Sequence, residues 1–187
     1  MSFSVVNIFY VDSHPYHAAV SLCDKHVVKM ILESAQLLCT AHHMCPNPSI
    51  PDEEIVSEHT GAVEVFPYTS VLYKPAYVNH PSCVWTRSSI QNYQWLVHHA
   101  TSLCGEYTHR YGKTHKTWKL IEQLWYWHPA IPDTGFSPPP QCMPDEHKHE
   151  DTVQAYRNYY NENKRHEIKC TWKDREEPSW WKNYMSC

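Results

Sequence analysis

The chain has 187 residues, 42% of them hydrophobic and 19% charged, and a formal net charge of −4. That length suits one domain burying about 70% of its unfolded surface, and the composition excludes a disordered polar chain. The acidic total excludes a strongly basic, generic DNA-coating protein. Four Gly against fourteen Pro favour helices joined by stiff connections over a tight-turned sheet. Eight Trp and thirteen Tyr suit a protein that stacks on flat ligands as well as filling a core. The eight Cys are scattered at core-like spacing and read as free thiols.

The chain opens on MSFSVVNIFYVDSH, which lacks the charged start and long apolar core of a signal peptide. With no run of about 18 apolar residues anywhere, the expectation is a cytoplasmic protein without a membrane partner. Residues 5–11 are an apolar run, either a short strand or an extended arm. Ser13 is placed to N-cap a helix with Pro15 in its first turn. A helix is predicted from about His17 to His43. On it Ala19, Cys23, His26, Met30, Glu33 and Leu37 share one stripe, with Asp24, Lys25, Lys29 and Gln36 opposite. A carboxylate on an apolar stripe is costly unless it is paired or functional. The plain alternative is an i,i+4 ion pair between Lys29 and Glu33, worth a few tenths of a kcal/mol.

Residues 45–78 read as a long acidic, Pro-interrupted loop with little regular structure and a short turn near Glu53–Val56. Cys39, His42, His43 and Cys45 have spacing able to hold zinc, but no second half-site stands nearby, so no metal is assigned. A second helix is predicted from Ser82 or Ser88 to Tyr111, ended by Gly112, with Ile90, Tyr93, Val97, Ala100, Cys104 and Tyr107 as its seam. Segment 87–119 carries Arg87, Arg110, Lys113, Lys116 and Lys119 against only Glu106, a local basic face on an acidic chain. A third helix begins near Thr114 and stops before Pro129. Residues 128–144, with Pro138–Pro140, form an extended wall. A fourth helix spans about Asp151 to Glu162, and the tail 171–187 is aromatic and basic. No phosphate loop, nucleophile elbow or HExxH motif is present, and no cofactor is called for.

Three stretches together resemble the pyrimidine-dimer DNA glycosylase (endonuclease V-like) family. Asp24-Lys25-His26 with Glu33 seven residues on is similar to its first-helix motif. Tyr73-Lys74 through Asn79-His80-Pro81 is similar to the element before its second long helix. Pro178-Ser179-Trp180-Trp181-Lys182 with Tyr184 is similar to its DNA-contacting terminus.

The resemblance implies an all-α, compact single-domain helical bundle, here with long Pro-rich loops at 45–80 and 128–150 and one domain over 1–187. It implies cleavage of the base–deoxyribose bond, with Glu33 as the catalytic carboxylate stabilising the cationic sugar. His26 on the same face would orient Glu33 or touch a phosphate, or else be a core histidine. The family attacks with its N-terminal amine; here the matching Asn7-Ile8-Phe9 follows MSFSVV, loss of Met1 would expose the Ser2 amine, and the nucleophile stays open among that amine, a lysine such as Lys29, and water. Leu32 and Gln36 stand where the family has arginines. Asp145 is a candidate second carboxylate for activating water.

Asn79, His80, Arg87, Arg110, Lys113, Trp180, Trp181, Lys182 and Tyr184 are the expected contacts to double-stranded DNA. The expectation is a monomeric, base-flipping glycosylase for a damaged or modified pyrimidine, in repair or in defence against phage with modified DNA. The rivals are a metal-dependent nucleotide or phosphodiester hydrolase and a non-catalytic nucleic-acid-binding module.

Overall fold

The computed structural model describes residues 6–56 and 63–181. At its centre lies α2 (Asp24–Met44), whose Met30, Ile31, Ala35, Leu37, Leu38, Cys39 and Ala41 are fully buried. The single helix expected over 17–43 is in fact two, since α1 (Pro15–Ser21) ends at an extended Leu22–Cys23 step. The break lets both side chains reach the core at 0% exposure. It also exposes backbone donors, which distant groups satisfy: Cys23 N–H bonds the Tyr160 hydroxyl at 3.1 Å, and Asp24 N–H the Thr171 carbonyl at 2.8 Å. Ser13 is not the cap of α1; His14 holds that position and makes no side-chain cap bond.

The excursion after α2 departs from the loop expected there. Glu53–Val56 (β1) and Val63–Phe66 (β2) pair antiparallel, with Glu53 opposite Phe66 and Val56 opposite Val63. The β-branched Ile55, Val56, Val63 and Val65 favour such a ribbon. It is an appendage to an otherwise helical fold.

The second helix takes the later of its two expected starts, and the residues from Pro81 form a short helix of their own. His80 caps α3 (Pro81–Thr86), its Nδ1 accepting from Ser82 N–H at 3.2 Å, and Ser89 caps α4 (Ile90–Tyr111). Gly112, at φ +62°, ends α4 as predicted, a left-handed conformation that costs glycine nothing. Helix α4 lies across α1 and α2, with α5 (Trp118–Tyr126) against it. No helix of the described residues is long and apolar enough to cross a membrane.

Residues 128–144 are irregular, as their prolines require, and form a strap over α3 and α4. Trp85 donates to the Ser137 carbonyl at 2.8 Å, and Asn92 Oδ1 accepts from Ser137 N–H at 2.9 Å. Helix α6 (Thr152–Tyr159) continues through a π-helical turn, Tyr160–Lys164, into α7 (Arg165–Glu167). The tail then returns to the start of α2: Trp172 Nε1 donates to the Ser21 carbonyl at 3.0 Å, and Asp24 accepts from Thr171 and Lys173.

Candidate active site

Glu33 occupies the third turn of α2 and is 6% exposed. Its Oε1 meets Lys29 Nζ at 3.1 Å, while Oε2 is buried with no hydrogen-bond partner among the described residues. An orphan carboxylate oxygen is a cost that packing alone does not explain. Glu33 is among the residues lining a cavity of about 570 Å³. Val28, Lys29, Leu32 and Gln36 of α2 form one side; Tyr73 and Tyr77 form a second; His115, Lys116 and Thr117, just before α5, form the third. The volume is in the range of small-ligand sites.

The aromatic side is fastened to α2. The Thr40 hydroxyl accepts from Ala76 N–H at 2.9 Å, and His43 Nε2 meets the Tyr73 carbonyl at 3.1 Å. Across the cavity, the Tyr73 hydroxyl meets Thr117 Oγ1 at 3.2 Å. Tyr77 adopts φ +56°, a region that L-residues avoid, at the cavity's rim. Burial holds the His115 imidazole below its ordinary pKa, so the cation facing Glu33 across the cavity is Lys116. A further cavity of about 440 Å³ lies between Pro46–Asp52 and Pro67–Thr69, but there Asp52 is occupied, accepting Tyr68 N–H at 3.2 Å.

The other sequence candidates are spread over the molecule. His26 is buried away from Glu33: its Nδ1 lies 2.6 Å from the Tyr160 hydroxyl and its ring stacks on Phe9 at 4.3 Å. Asp145 is exposed, pairs with Lys148 at 2.6 Å and does not line the Glu33 cavity. That ion pair holds its carboxyl below the usual range.

Arg110, expected on the DNA-facing surface, has a fully buried side chain bonded to Glu106 at 2.7 Å and Asp24 at 2.9 Å. Burial opposes ionisation of Glu106, but bonds from Arg175 and Arg110 outweigh it and hold its pKa down. Arg87 reaches the Cys83 sulfur at 3.3 Å, His80 caps α3, and Asn79 and Lys113 are exposed. Trp180 and Trp181 are half-buried: Trp180 meets Tyr160 edge-on, and Trp181 packs on Trp172 under the Arg165 guanidinium. Ser2, Lys182 and Tyr184 lie outside the described residues.

The four possible zinc ligands do not converge. His42 sits between the hydroxyls of Tyr93 at 2.8 Å and Tyr68 at 3.4 Å, and no group of three metal-capable side chains occurs among the described residues.

Lys116, His115, Thr117, Tyr73 and Tyr77 are the site residues that periodicity missed. Tyr73 and Tyr77 were visible only as part of the Tyr73–Pro81 motif, and Lys116 only as one charge of a basic stretch. A family model described as pyrimidine dimer DNA glycosylase matches residues 6–120, which include every residue lining the Glu33 cavity. No curated protein and no solved structure matches the chain.

Proposed function

The chain belongs to the pyrimidine dimer DNA glycosylase family, and from that premise we propose that it excises a damaged or modified pyrimidine from DNA at the Glu33 cavity. One observation carries the reading. A buried carboxylate with an unpartnered oxygen faces a cavity built wholly from the stretch that the family model matches.

The chemistry follows from the charge that develops. Breaking the N-glycosidic bond leaves positive charge on C1′ and O4′ of the sugar. A carboxylate already fixed in a poorly hydrated wall stabilises that cation without reorganising. Tyr73 and Tyr77 offer aromatic surface against which a base turned out of the duplex can stack. Lys116, at the cavity's edge, suits a flanking phosphate, and exposed Lys113 adds to the same basic approach. Because Leu32 and Gln36 stand beside Glu33, phosphate binding falls to this lysine side of the cavity.

The test is base release, read by mass spectrometry, from ultraviolet-irradiated, uracil-containing, hydroxymethylated and glucosylated DNA. Wild type should release one base class. Glu33→Gln should lower release by at least about 100-fold, the order of one lost transition-state contact, with DNA binding and the thermal transition retained. Release from irradiated DNA assigns the protein to repair; release from hydroxymethylated or glucosylated DNA assigns it to attack on modified foreign DNA. If Glu33→Gln matched wild type on every substrate, the glycosylase reading would fall.

A further inference from the structure

We propose that Cys23 and Cys170 form a dithiol that a peroxide oxidises to a disulfide, pinning the returning tail to the start of α2. The fold brings the two residues together. Asp24 N–H bonds the Thr171 carbonyl at 2.8 Å, and the Asp24 carboxylate accepts from the Thr171 hydroxyl at 2.7 Å. The residues just before these, Cys23 and Cys170, meet side chain to side chain, the thiol of one hydrogen-bonded to the sulfur of the other. Cys23 is fully buried and Cys170 half-buried, so the pair opens to solvent on the Cys170 side.

Packing alone does not call for the surroundings of the Cys23 sulfur. Cys23 is the N-cap residue of the 21-residue α2, where the positive end of the helix favours a thiolate. The Tyr160 hydroxyl, at the start of the π-helical turn, donates to that sulfur at 3.4 Å and stands 2.6 Å from His26 Nδ1. The bond from Cys170, joined by His26 and Tyr160, outweighs burial and pushes the Cys23 thiol down to about 4. The same bond pushes the Cys170 thiol upward, so the two sulfurs share one proton. Burial acts oppositely on the other enclosed thiols, pushing Cys39 and Cys104 up to about 12 and raising Cys83 and Cys142. Those four stay protonated, and the thiolate is the reactive form.

Passage of the shared proton from Cys170 to Cys23 leaves a thiolate at the half-buried sulfur. That sulfur bonds to one oxygen of the peroxide as the O–O bond breaks, and the departing hydroxide takes the Cys23 proton to become water. Cys170 is now a sulfenic acid. The Cys23 thiolate attacks its sulfur, the S–S bond forms and the S–O bond breaks, and the expelled hydroxide takes a proton from solvent. The pair has lost two electrons, and one peroxide has become two waters. The Trp172 bond to the Ser21 carbonyl already holds this stretch of the tail in place.

The experiment treats the full reduced chain with hydrogen peroxide, alkylates the remaining thiols and maps the peptides by mass spectrometry without reduction. The expected product is one linked pair of peptides joining Cys23 to Cys170, which dithiothreitol separates. Because the link closes most of the chain into a loop, the thermal midpoint of the oxidised protein should rise by about 5 °C or more. Cys170→Ser should fold with the midpoint of the reduced wild type and show neither link nor rise. A link through other cysteines, or alkylated Cys23 and Cys170 after peroxide has oxidised another thiol, overturns the proposal. A Cys23–Cys170 link that leaves the midpoint unchanged or lower overturns the pinning of the tail. No arm of the test uses DNA, so its failure and that of the glycosylase reading are separate results.

Discussion

A guanidinium with no exposed surface, as at Arg110, stands or falls by the acceptors around it. Its Nε bonds Glu106 at 2.7 Å, Nη1 bonds Asp24 at 2.9 Å and Nη2 the Val20 carbonyl at 3.0 Å. Arg175 adds two further bonds to Glu106, each at 2.9 Å. Removing the central cation takes a charged partner from buried Glu106 and from part-buried Asp24, a loss of about 3 kcal/mol. Arg110→Met should therefore lower the urea midpoint sharply. Exposed Lys113 is the contrasting case. Lys113→Ala should change stability by no more than about 0.5 kcal/mol, yet weaken DNA binding and reduce the slope of log affinity against log salt by about one. Titration of both variants against salt separates the buried arginine from the surface lysine, two residues that look equivalent in the basic stretch 87–119.

At the level of elements, what could be read depended on where each element's partners lie. The core of α2 and the seam and glycine stop of α4 follow from local periodicity, as did Glu33's place on the buried stripe. The break at Leu22–Cys23 did not, because its backbone donors are satisfied by Tyr160 and Thr171, far along the chain. The facing of Lys116 and His115 towards Glu33 was hidden for the same reason. The hairpin was missed although Ile55, Val56, Val63 and Val65 are β-branched, since the prolines on either side favour a loop. Segment 73–77 shows how such a non-local element is held: the Thr40 hydroxyl takes the Ala76 N–H and lies 2.7 Å from the Gln36 carbonyl. Thr40→Val keeps the shape and removes the acceptor, leaving a half-buried amide unpaired at a cost of about 1–3 kcal/mol. Because this clasp sets Tyr73 and Tyr77 against the cavity, single-turnover base release by the folded variant should also slow. An unchanged rate would show that the clasp serves stability alone.

Across the whole molecule, the fifteen histidines make acid the condition that most tests the fold. Two of them are enclosed without a counter-charge. Burial, with smaller effects of His128 and His43, pushes His42 down to about 3. Burial alone pushes His99 down to about 3, where it stacks on Trp95 with neither ring nitrogen bonded among the described residues. Both stay neutral in the folded state while the unfolded chain takes up protons near pH 6.5. The unfolded state therefore binds more protons below that pH, so stability is fully present above about 6.5 and is lost as the pH falls towards 3. From pH 7 to pH 5.5 the two sites together should remove about 2.5 kcal/mol. Asp24 and Glu106, whose carboxyls are held below their ordinary range, add a further loss only at lower pH, as they protonate. Urea unfolding at the two pH values measures the first loss directly. His99→Leu removes one titrating ring and its unpaired nitrogens, so it should roughly halve the difference while leaving the pH 7 value equal or higher. A difference that His99→Leu leaves unchanged would place the acid sensitivity elsewhere than at His99.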